Sequence, residues 1–286
     1  MNEQAFRGES SRNLIDLEKV ISGKNPHLLK ILPRFIINYL KKITHQDEIN
    51  RFIRENQKIY GIEFLDIILK EFGARVHVSG LRNLTKNGRW TVAANHPLGG
   101  LDGMALMWAI GKVRSDIVFP VNDLLMNIEN LKDLFIPINK HGSNSGNVRM
   151  IDDTYASDKA VLYFPAGLCS RKKHGKIVDL EWKKSFITKT KAHKRDIIPA
   201  YIEGRNSNWF YNLARFRSKL GIRANIEMLY LVDEMFKQKN KDITIVFGKP
   251  ISYTVFDRRY TDLEWARKLR DHVYTLKTNP DAKFNG

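Results

Sequence analysis

Residues 95–103 read Asn-His-Pro-Leu-Gly-Gly-Leu-Asp-Gly, and they connect a short apolar segment to a predicted helix. Residues 91–94, Thr-Val-Ala-Ala, are typical of a short buried strand, and residues 101–112 of a helix. The full set of predicted strands is 75–79, 91–94, 117–121, 135–138, 160–164, 197–202 and 243–247. Strands that alternate with helices predict an α/β fold with helices on both faces of the sheet.

The residues before the first predicted strand have a helical pattern instead. A short helix is predicted over residues 14–21 and two helices over residues 33–72, where Gly73 is suited to end the second. Further helices are predicted near residues 124–134 and over residues 263–275. We therefore expect an N-terminal helical region, residues 1–72, followed by one α/β domain, residues 73–286.

The composition excludes several classes of protein. The chain has 286 residues, of which 43% are hydrophobic, so a sizeable core can form. Its single cysteine, Cys169, allows neither an internal disulfide nor a cysteine-based zinc site, and we predict no metal site. No apolar run approaches the roughly 18 residues of a membrane span, and the polar N-terminus is unlike a signal peptide. We expect a protein of the cytoplasm that is either soluble or bound to a membrane surface.

The charge of the chain indicates an anionic partner. There are 48 Lys and Arg against 31 Asp and Glu, a net charge of +17. Such an excess attracts nucleic acid, anionic lipid headgroups or phosphorylated small molecules, and the absence of nucleic-acid-binding motifs argues against the first. Residues 171–195, the basic segment, hold ten Lys and Arg and two acidic residues. A solvated basic face is the alternative explanation of this segment.

The stretch 95–103 also carries a candidate for acid–base chemistry. His96 is a natural general base near neutral pH, and Asp102 could fix its tautomer and stabilise the imidazolium. Gly99 and Gly100 would let the backbone turn tightly enough to bring Asp102 back to His96. The alternative is a turn before a helix, with Asn95 as its cap and a surface histidine.

A second candidate stretch follows the predicted strand 160–164. Residues 164–171 read Phe-Pro-Ala-Gly-Leu-Cys-Ser-Arg, and backbone amides around Gly167 together with Arg171 would suit a phosphate. Cys169 is either a nucleophile or inert packing. Residues 209–211, Trp-Phe-Tyr, either line an acyl channel or pack in the core.

In this order the stretches resemble the lysophospholipid (glycerol-phosphate) acyltransferase family. The resemblance is to its hemolysin-like branch, which includes O-acyltransferases of amino-acid lipids and has the pattern Asn-His-Pro-x-Gly-Gly-x-Asp-Gly. Residues 164–171 are similar to the family's second motif, with Ala166 at its glutamate and Cys169 at its arginine. The remaining similar stretches are residues 198–202, with Glu-Gly-Arg-Asn-Ser at 203–207, and residues 247–251.

The resemblance implies a mixed α/β sheet flanked by helices, like that of the glycerol-phosphate acyltransferases, and an acyl transfer in which His96 and Asp102 are catalytic. The donor would be acyl carrier protein or acyl-CoA as co-substrate, without a further cofactor. The acceptor would be the hydroxyl of a lysophospholipid or an N-acyl amino acid. Chemistry and motif position together suggest these substrate-binding residues: Asn95, Gly99, Gly100, Gly103, Gly167, Ser170, Arg171, Arg205 and Asn206.

We expect the protein to act at the inner membrane surface. Residues 33–43 would lie in the headgroup plane, with Phe35, Ile36, Leu40 and Ile43 buried in lipid, unless this face packs on the α/β domain. Two alternative functions remain. One is a non-catalytic protein that binds anionic lipid or nucleic acid; the other is a hydrolase, for which the chain lacks a Gly-x-Ser-x-Gly nucleophile elbow.

Overall fold

The computed structural model describes residues 15–121, 125–137, 144–222 and 224–286. The described residues form a seven-stranded sheet of order β1-β9-β8-β2-β5-β3-β4, and a separate hairpin of β6 and β7. The strands are β1 Arg75–Ser79, β2 Trp90–Ala94, β3 Ile117–Val121, β4 Phe135–Pro137, β5 Ala160–Tyr163, β6 Arg171–Lys173, β7 Lys176–Val178, β8 Asp196–Glu203 and β9 Asp242–Phe247. Within the large sheet only β8 and β9 run antiparallel. The predicted mixed α/β fold is confirmed.

Helices cover the sheet and form most of the N-terminal region. They are α1 Leu17–Lys24, α2 Pro26–Ile31, α3 Arg34–Ile43, α4 Gln46–Glu55, α5 Gly61–Glu71, α6 Leu101–Gly111, α7 Asn144–Ala156, α8 Ser185–Ala192, α9 Asn208–Lys219, α10 Leu231–Phe236 and α11 Asp262–Thr275. Strand β2 lies in the middle of the sheet and every one of its residues is buried. A strand covered on both faces reads as a continuous apolar run, which explains the pattern at residues 91–94.

The N-terminal region differs from the prediction in its number of helices. Residues 33–72 form three helices rather than two, because His45 adopts a left-handed conformation (φ 48°) and Gly61 another (φ 60°). Helix α1 is displaced from the predicted 14–21, and residue 14 lies outside the described residues. The division after residue 72 remains a prediction. Helix α5 of the N-terminal region buries Phe64 and Leu65 in the same core as Val92 of β2.

Two further differences concern the middle of the chain. The helix predicted near residues 124–134 is present as two 3₁₀ helices, Leu125–Asn127 and Glu129–Leu134; residues 124 and 138 lie outside the described residues. Helices α7, α8 and α9 and the β6–β7 hairpin were not predicted. The hairpin and α8 both lie within the basic segment, where dense charge masks the apolar periodicity.

Candidate active site

The loop between β2 and α6 brings His96 and Asp102 together. The Nδ1 atom of His96 lies 2.9 Å from Oδ2 of Asp102. Asp102 is completely buried in the first turn of α6, and its carboxylate also accepts hydrogen bonds from the backbone N–H groups of Leu98, Gly99 and Gly103. The loop thus wraps around the carboxylate. The Nε2 atom of His96 has no partner among the described residues, and the side chain is 16% exposed.

Gly99 is required by both conformation and space. Its φ is +82°, and a Cβ atom there would lie 2.6 Å from the side chain of Leu231 and 3.3 Å from that of Cys169. At Gly103 a Cβ would lie 3.3 Å from the ring of Phe119. Glycine at these positions therefore lets the loop sit closely between α10 and the sheet.

Mutual attraction shifts the pKa values of His96 and Asp102 towards their charged forms. Burial alone would lower the pKa of His96, but the charge of Asp102 and its hydrogen bond outweigh burial and raise the pKa of His96 above its ordinary value. Burial alone would raise the pKa of Asp102, but His96 and the loop amides lower it. A carboxylate on one ring nitrogen leaves the other nitrogen free to accept a proton, as a general base requires.

Asp179 is a site residue that the sequence analysis missed. It is buried, and its carboxylate accepts hydrogen bonds from the backbone N–H of His96 (3.2 Å), the hydroxyl of Ser170 (2.6 Å) and the indole N–H of Trp182 (2.8 Å). Burial raises the pKa of Asp179, and this effect outweighs the lowering of the pKa by the three hydrogen bonds. Asp179 therefore ties the first loop to residues 164–171. No local pattern marked it, because His96, the site residue that it holds, lies 83 positions away.

Residues 164–171 form the wall behind the imidazole. The ring of Phe164 stacks on that of His96, with centroids 4.1 Å apart and planes 17° from parallel. Ser170 is buried, and its backbone N–H donates to the carbonyl of His96 at 2.7 Å. Gly167 has a φ of +66°, but its N–H already donates to the carbonyl of Phe164. That amide is used within the turn and is not free to hold an oxyanion.

Arg171 is placed differently from the expectation of a phosphate ligand. Its guanidinium donates to the carbonyl of Cys169 (2.6 Å) and to the carboxylate of Glu227 (2.7 Å), and Glu227 is completely buried. Arg217 binds the other oxygen of Glu227. The geometry thus gives Arg171 a structural partner. Burial raises the pKa of the neighbouring Cys169 thiol to about 12, which argues against a nucleophile.

The other predicted binding residues have mixed surroundings. The amide of Asn95 exchanges two hydrogen bonds with the backbone of Ile202, so it joins β2 to β8 and does not cap a helix. Arg205 is exposed and donates to Asn208. Asn206 is buried, yet neither polar atom of its side chain has a protein partner. Gly100 lines the cavity described below, and its N–H has no acceptor among the described residues.

Several cations of the basic segment already have partners within the protein. Arg195 is buried and donates to backbone carbonyls, including that of Tyr155, while Lys189 and Lys191 pair with Asp152 and Asp262. Six lysines of the segment have no ion pair within the described chain: Lys172, Lys173, Lys176, Lys183, Lys184 and Lys194. The ammonium of Lys183 lies directly above Gly167.

An apolar cavity of about 230 Å³ opens beside the first loop. Helices α4, α5 and α10 form it, and its lining includes Phe52, Phe64 and Met235 together with Gly99 and Gly100. The cavity therefore reaches the loop that holds the His96–Asp102 pair. Residues 209–211 take no part in it: Phe210 and Tyr211 pack in a core cluster with Cys169, while Trp209 is exposed.

Comparison with known proteins identifies the family of this chain. A family model described as an acyltransferase matches residues 19–283. The chain belongs to this acyltransferase family. The chain is 47% identical over 265 residues to a lyso-glycine lipid O-acyltransferase of Phocaeicola vulgatus, covering 92% of this chain and 95% of that protein. It is 46% identical over 270 residues to the protein of the same name from Bacteroides thetaiotaomicron, covering 94% and 99%.

A solved structure is also similar to this acyltransferase. It is the 1-acyl-sn-glycerophosphate acyltransferase PlsC from Thermotoga maritima, with a TM-score of 0.47 and 15% identity, covering 89% of this chain and all of that one. The resemblance inferred from the ordered motifs is confirmed by the family match, and the predicted enzyme class, an acyltransferase, is confirmed with it. The roles of the individual site residues stay predictions.

Proposed function

We propose that this acyltransferase moves a fatty acyl chain from an acyl thioester to the hydroxyl of a lyso-glycine lipid. The observation that carries the proposal is the buried His96–Asp102 pair, which lies in the same loop as two glycines, Gly99 and Gly100, that line an apolar cavity. The acceptor class follows the names of the two relatives, which this chain matches over nearly its whole length. An N-acyl amino acid ends in a carboxylate, which suits a basic surface better than a neutral lipid would.

The proposed reaction begins with proton transfer from the acceptor hydroxyl to Nε2 of His96. The oxygen attacks the thioester carbonyl, and the new C–O bond gives a tetrahedral intermediate. When the intermediate collapses, the C–S bond breaks and the imidazolium returns its proton to the leaving thiolate. Asp102 stays ionised throughout and stabilises the imidazolium. No serine or cysteine nucleophile is required, in agreement with the raised pKa of Cys169.

Two further elements fit this reaction. The N–H of Gly100, which has no acceptor among the described residues, lies where α6 begins in a residue that lines the cavity, and we assign it to the developing oxyanion. The cavity would receive part of an alkyl chain, because its lining is predominantly apolar. The unpartnered amide of buried Asn206 is retained as a binding residue for a polar group of the substrate. No resident cofactor takes part in this scheme.

We place the reaction at the inner membrane surface, where a lipid acceptor meets a cytoplasmic donor. The helices of the described chain include none long and apolar enough to cross a bilayer. Helix α3 supports surface attachment with Phe35, which is 70% exposed. The expected lipid-facing set is corrected in part, because Ile43 is buried while Ile36 and Leu40 are half-buried. Acyl carrier protein and acyl-CoA are both acidic, so either donor could dock on the unpaired lysines of the basic segment.

The decisive experiment uses purified protein, a lyso-glycine lipid in detergent and each acyl thioester in turn, with mass spectrometry of the product. Wild-type protein should form the O-acylated lipid, and His96→Ala should not. His174→Asn is the matched control, because His174 is an exposed histidine with a left-handed backbone that asparagine tolerates. A non-catalytic lipid-binding protein would consume no thioester. Faster acylation of a lysophospholipid would correct the acceptor class.

A further inference from the structure

We propose that the carboxyl end of α9 is a second membrane contact, which inserts apolar side chains into an anionic bilayer. This α9 patch consists of Phe216, Leu220 and Ile222, with the cations Arg215 and Lys219 beside them. Phe216 is 61% exposed, Leu220 58% and Ile222 40%. The inference rests on the proposed function only in that the bilayer is where the lipid substrate is found.

The opposite face of α9 already supplies its share of the core. Phe210, Tyr211 and Ala214 are buried, and the first two pack in one cluster with Cys169. Phe216 therefore extends from a helix whose inner face is complete, and no described element covers it. Three large apolar side chains within seven residues, all facing solvent, are unusual unless a further surface receives them.

The charges around the patch select an anionic surface. Residues 205–232 contain five Lys and Arg but a single acidic residue, Glu227. Glu227 is completely buried between Arg171 and Arg217, so it gives the outer surface no negative charge. Residues 24–44, which contain α2 and α3, hold five Lys and Arg and no acidic residue at all. Alternating apolar and basic side chains are typical of helices that lie in the headgroup region.

Aromatic contacts join the first turn of α9 to α3. The hydroxyl of Tyr230 lies 3.0 Å from that of Tyr39 on α3, and the ring of Tyr230 packs against Trp209 of α9 at 4.3 Å. Tyr39 and Trp209 are nearly half exposed. Tyr and Trp favour the boundary between headgroups and acyl chains. Trp209 and Phe216 are both exposed and lie seven positions apart on α9, so they share one face of that helix. Trp209 thus connects the α9 patch with the aromatic contacts to α3.

The aromatic contacts also lead to the catalytic loop. Helix α10 begins directly after Tyr230, and its Leu231 lines the apolar cavity together with Gly99 and Gly100. A bilayer held against α3 and α9 would place lipid beside the α10 wall of that cavity. The α9 patch would thus contribute to acceptor delivery and leave the chemistry of the His96–Asp102 pair unchanged.

The first test measures cosedimentation of the full chain with phosphatidylcholine vesicles that contain phosphatidylglycerol. Phe216→Ser with Leu220→Ser should weaken binding roughly tenfold or more, because the variant removes most of the inserted apolar area. Arg215→Gln with Lys219→Gln should weaken it by about fivefold per cation at low salt. Met150→Ser is the control, since Met150 is 44% exposed on α7, away from the patch. Unchanged binding by both double variants would overturn the proposal.

A second test does not depend on weakened variants. Leu220→Cys can be labelled with an environment-sensitive fluorophore, because the native Cys169 is buried and its thiol pKa is about 12. The label should shift to the blue on addition of anionic vesicles, while a label at Met150→Cys should not. The proposal fails if neither label shifts, or if self-association of the protein disappears in the Phe216 and Leu220 double variant, which would identify a second copy as the occupant.

The two proposals can fail separately. Acyl transfer in detergent tests the function without a bilayer, and the α9 variants should keep that activity within twofold of wild type. Wild-type protein that transfers no acyl chain in detergent contradicts the proposed function, while the vesicle measurements still decide the role of the α9 patch.

Discussion

Two buried ion pairs lie near each other in this acyltransferase, and they differ in whether a hydrogen-bonding atom of the pair is left without a partner among the described residues. Asp102 binds His96 through one ring nitrogen only, and the Nε2 atom of that ring has no partner within the described chain. Glu227 is bound on both oxygens by Arg171 and Arg217, and Arg171 in turn donates to the carbonyl of Cys169. A pair with an unused proton-accepting atom can take part in a reaction, whereas a saturated pair holds the fold.

The largest expected effect concerns the first pair. His96→Ala should lower kcat by about 10²–10⁴-fold, because it removes the general base. Asp102→Asn should also be severely impaired, since it removes the charge that stabilises the imidazolium. Steady-state kinetics of acyl transfer, with a thermal melt of each variant, measure both effects. A folded His96→Ala protein with near wild-type turnover would remove the first pair from the mechanism.

The second pair should respond in stability rather than in chemistry. Arg171→Met leaves Glu227 buried with one partner, and loss of a partner from a buried pair costs about 3–5 kcal/mol. Lys172→Met is the matched control on the same strand, and as an exposed residue it should change stability by less than about 0.5 kcal/mol. Urea denaturation measures the difference. If Arg171→Met is as stable as wild type but its acceptor KM rises steeply, Arg171 binds substrate after all.

The pH dependence separates the charge of Asp102 from its role in packing. Because the general base must be neutral, kcat/KM should fall as the pH drops through the pKa of His96. That pKa is raised in the native protein, so half-maximal activity should lie above the ordinary histidine value of about 6.5. In Asp102→Asn burial persists without the attraction, and the residual activity should extend to lower pH. Identical acid limbs in the two proteins would contradict the assigned pair.

The smallest effect is expected where a cation is exposed. Lys183 lies above Gly167 and has no ion pair with any described residue, so Lys183→Ala should raise KM for a carboxylate-bearing acceptor by about two- to fivefold at low salt. Lys86→Ala is the control, because Lys86 is exposed before β2, at the end of the strand opposite to the catalytic loop. Equal KM values for the two variants, or a difference that persists in high salt, would argue against a binding role for Lys183.

Local patterns in the sequence determined the sheet strands and the catalytic loop. Buried parallel strands require continuous apolar runs, and a tight loop between a strand and a helix requires glycine. Both are visible as short stretches of letters at residues 91–94 and 99–100. His96 and Asp102 lie six positions apart, so a single turn brings them together, and their pairing could be inferred from spacing alone.

Tertiary structure alone decided the partners that are distant in the chain. Arg171 looked like a free anion ligand, but its partner Glu227 lies 56 positions away and is buried with it. Asp179 lies 83 positions from His96, and nothing in its neighbourhood signals that it holds the backbone of the histidine. Charge in a sequence shows which residues can attract anions. Only packing shows which of those charges the protein has already neutralised, because a buried charge must find its partner wherever the fold brings one.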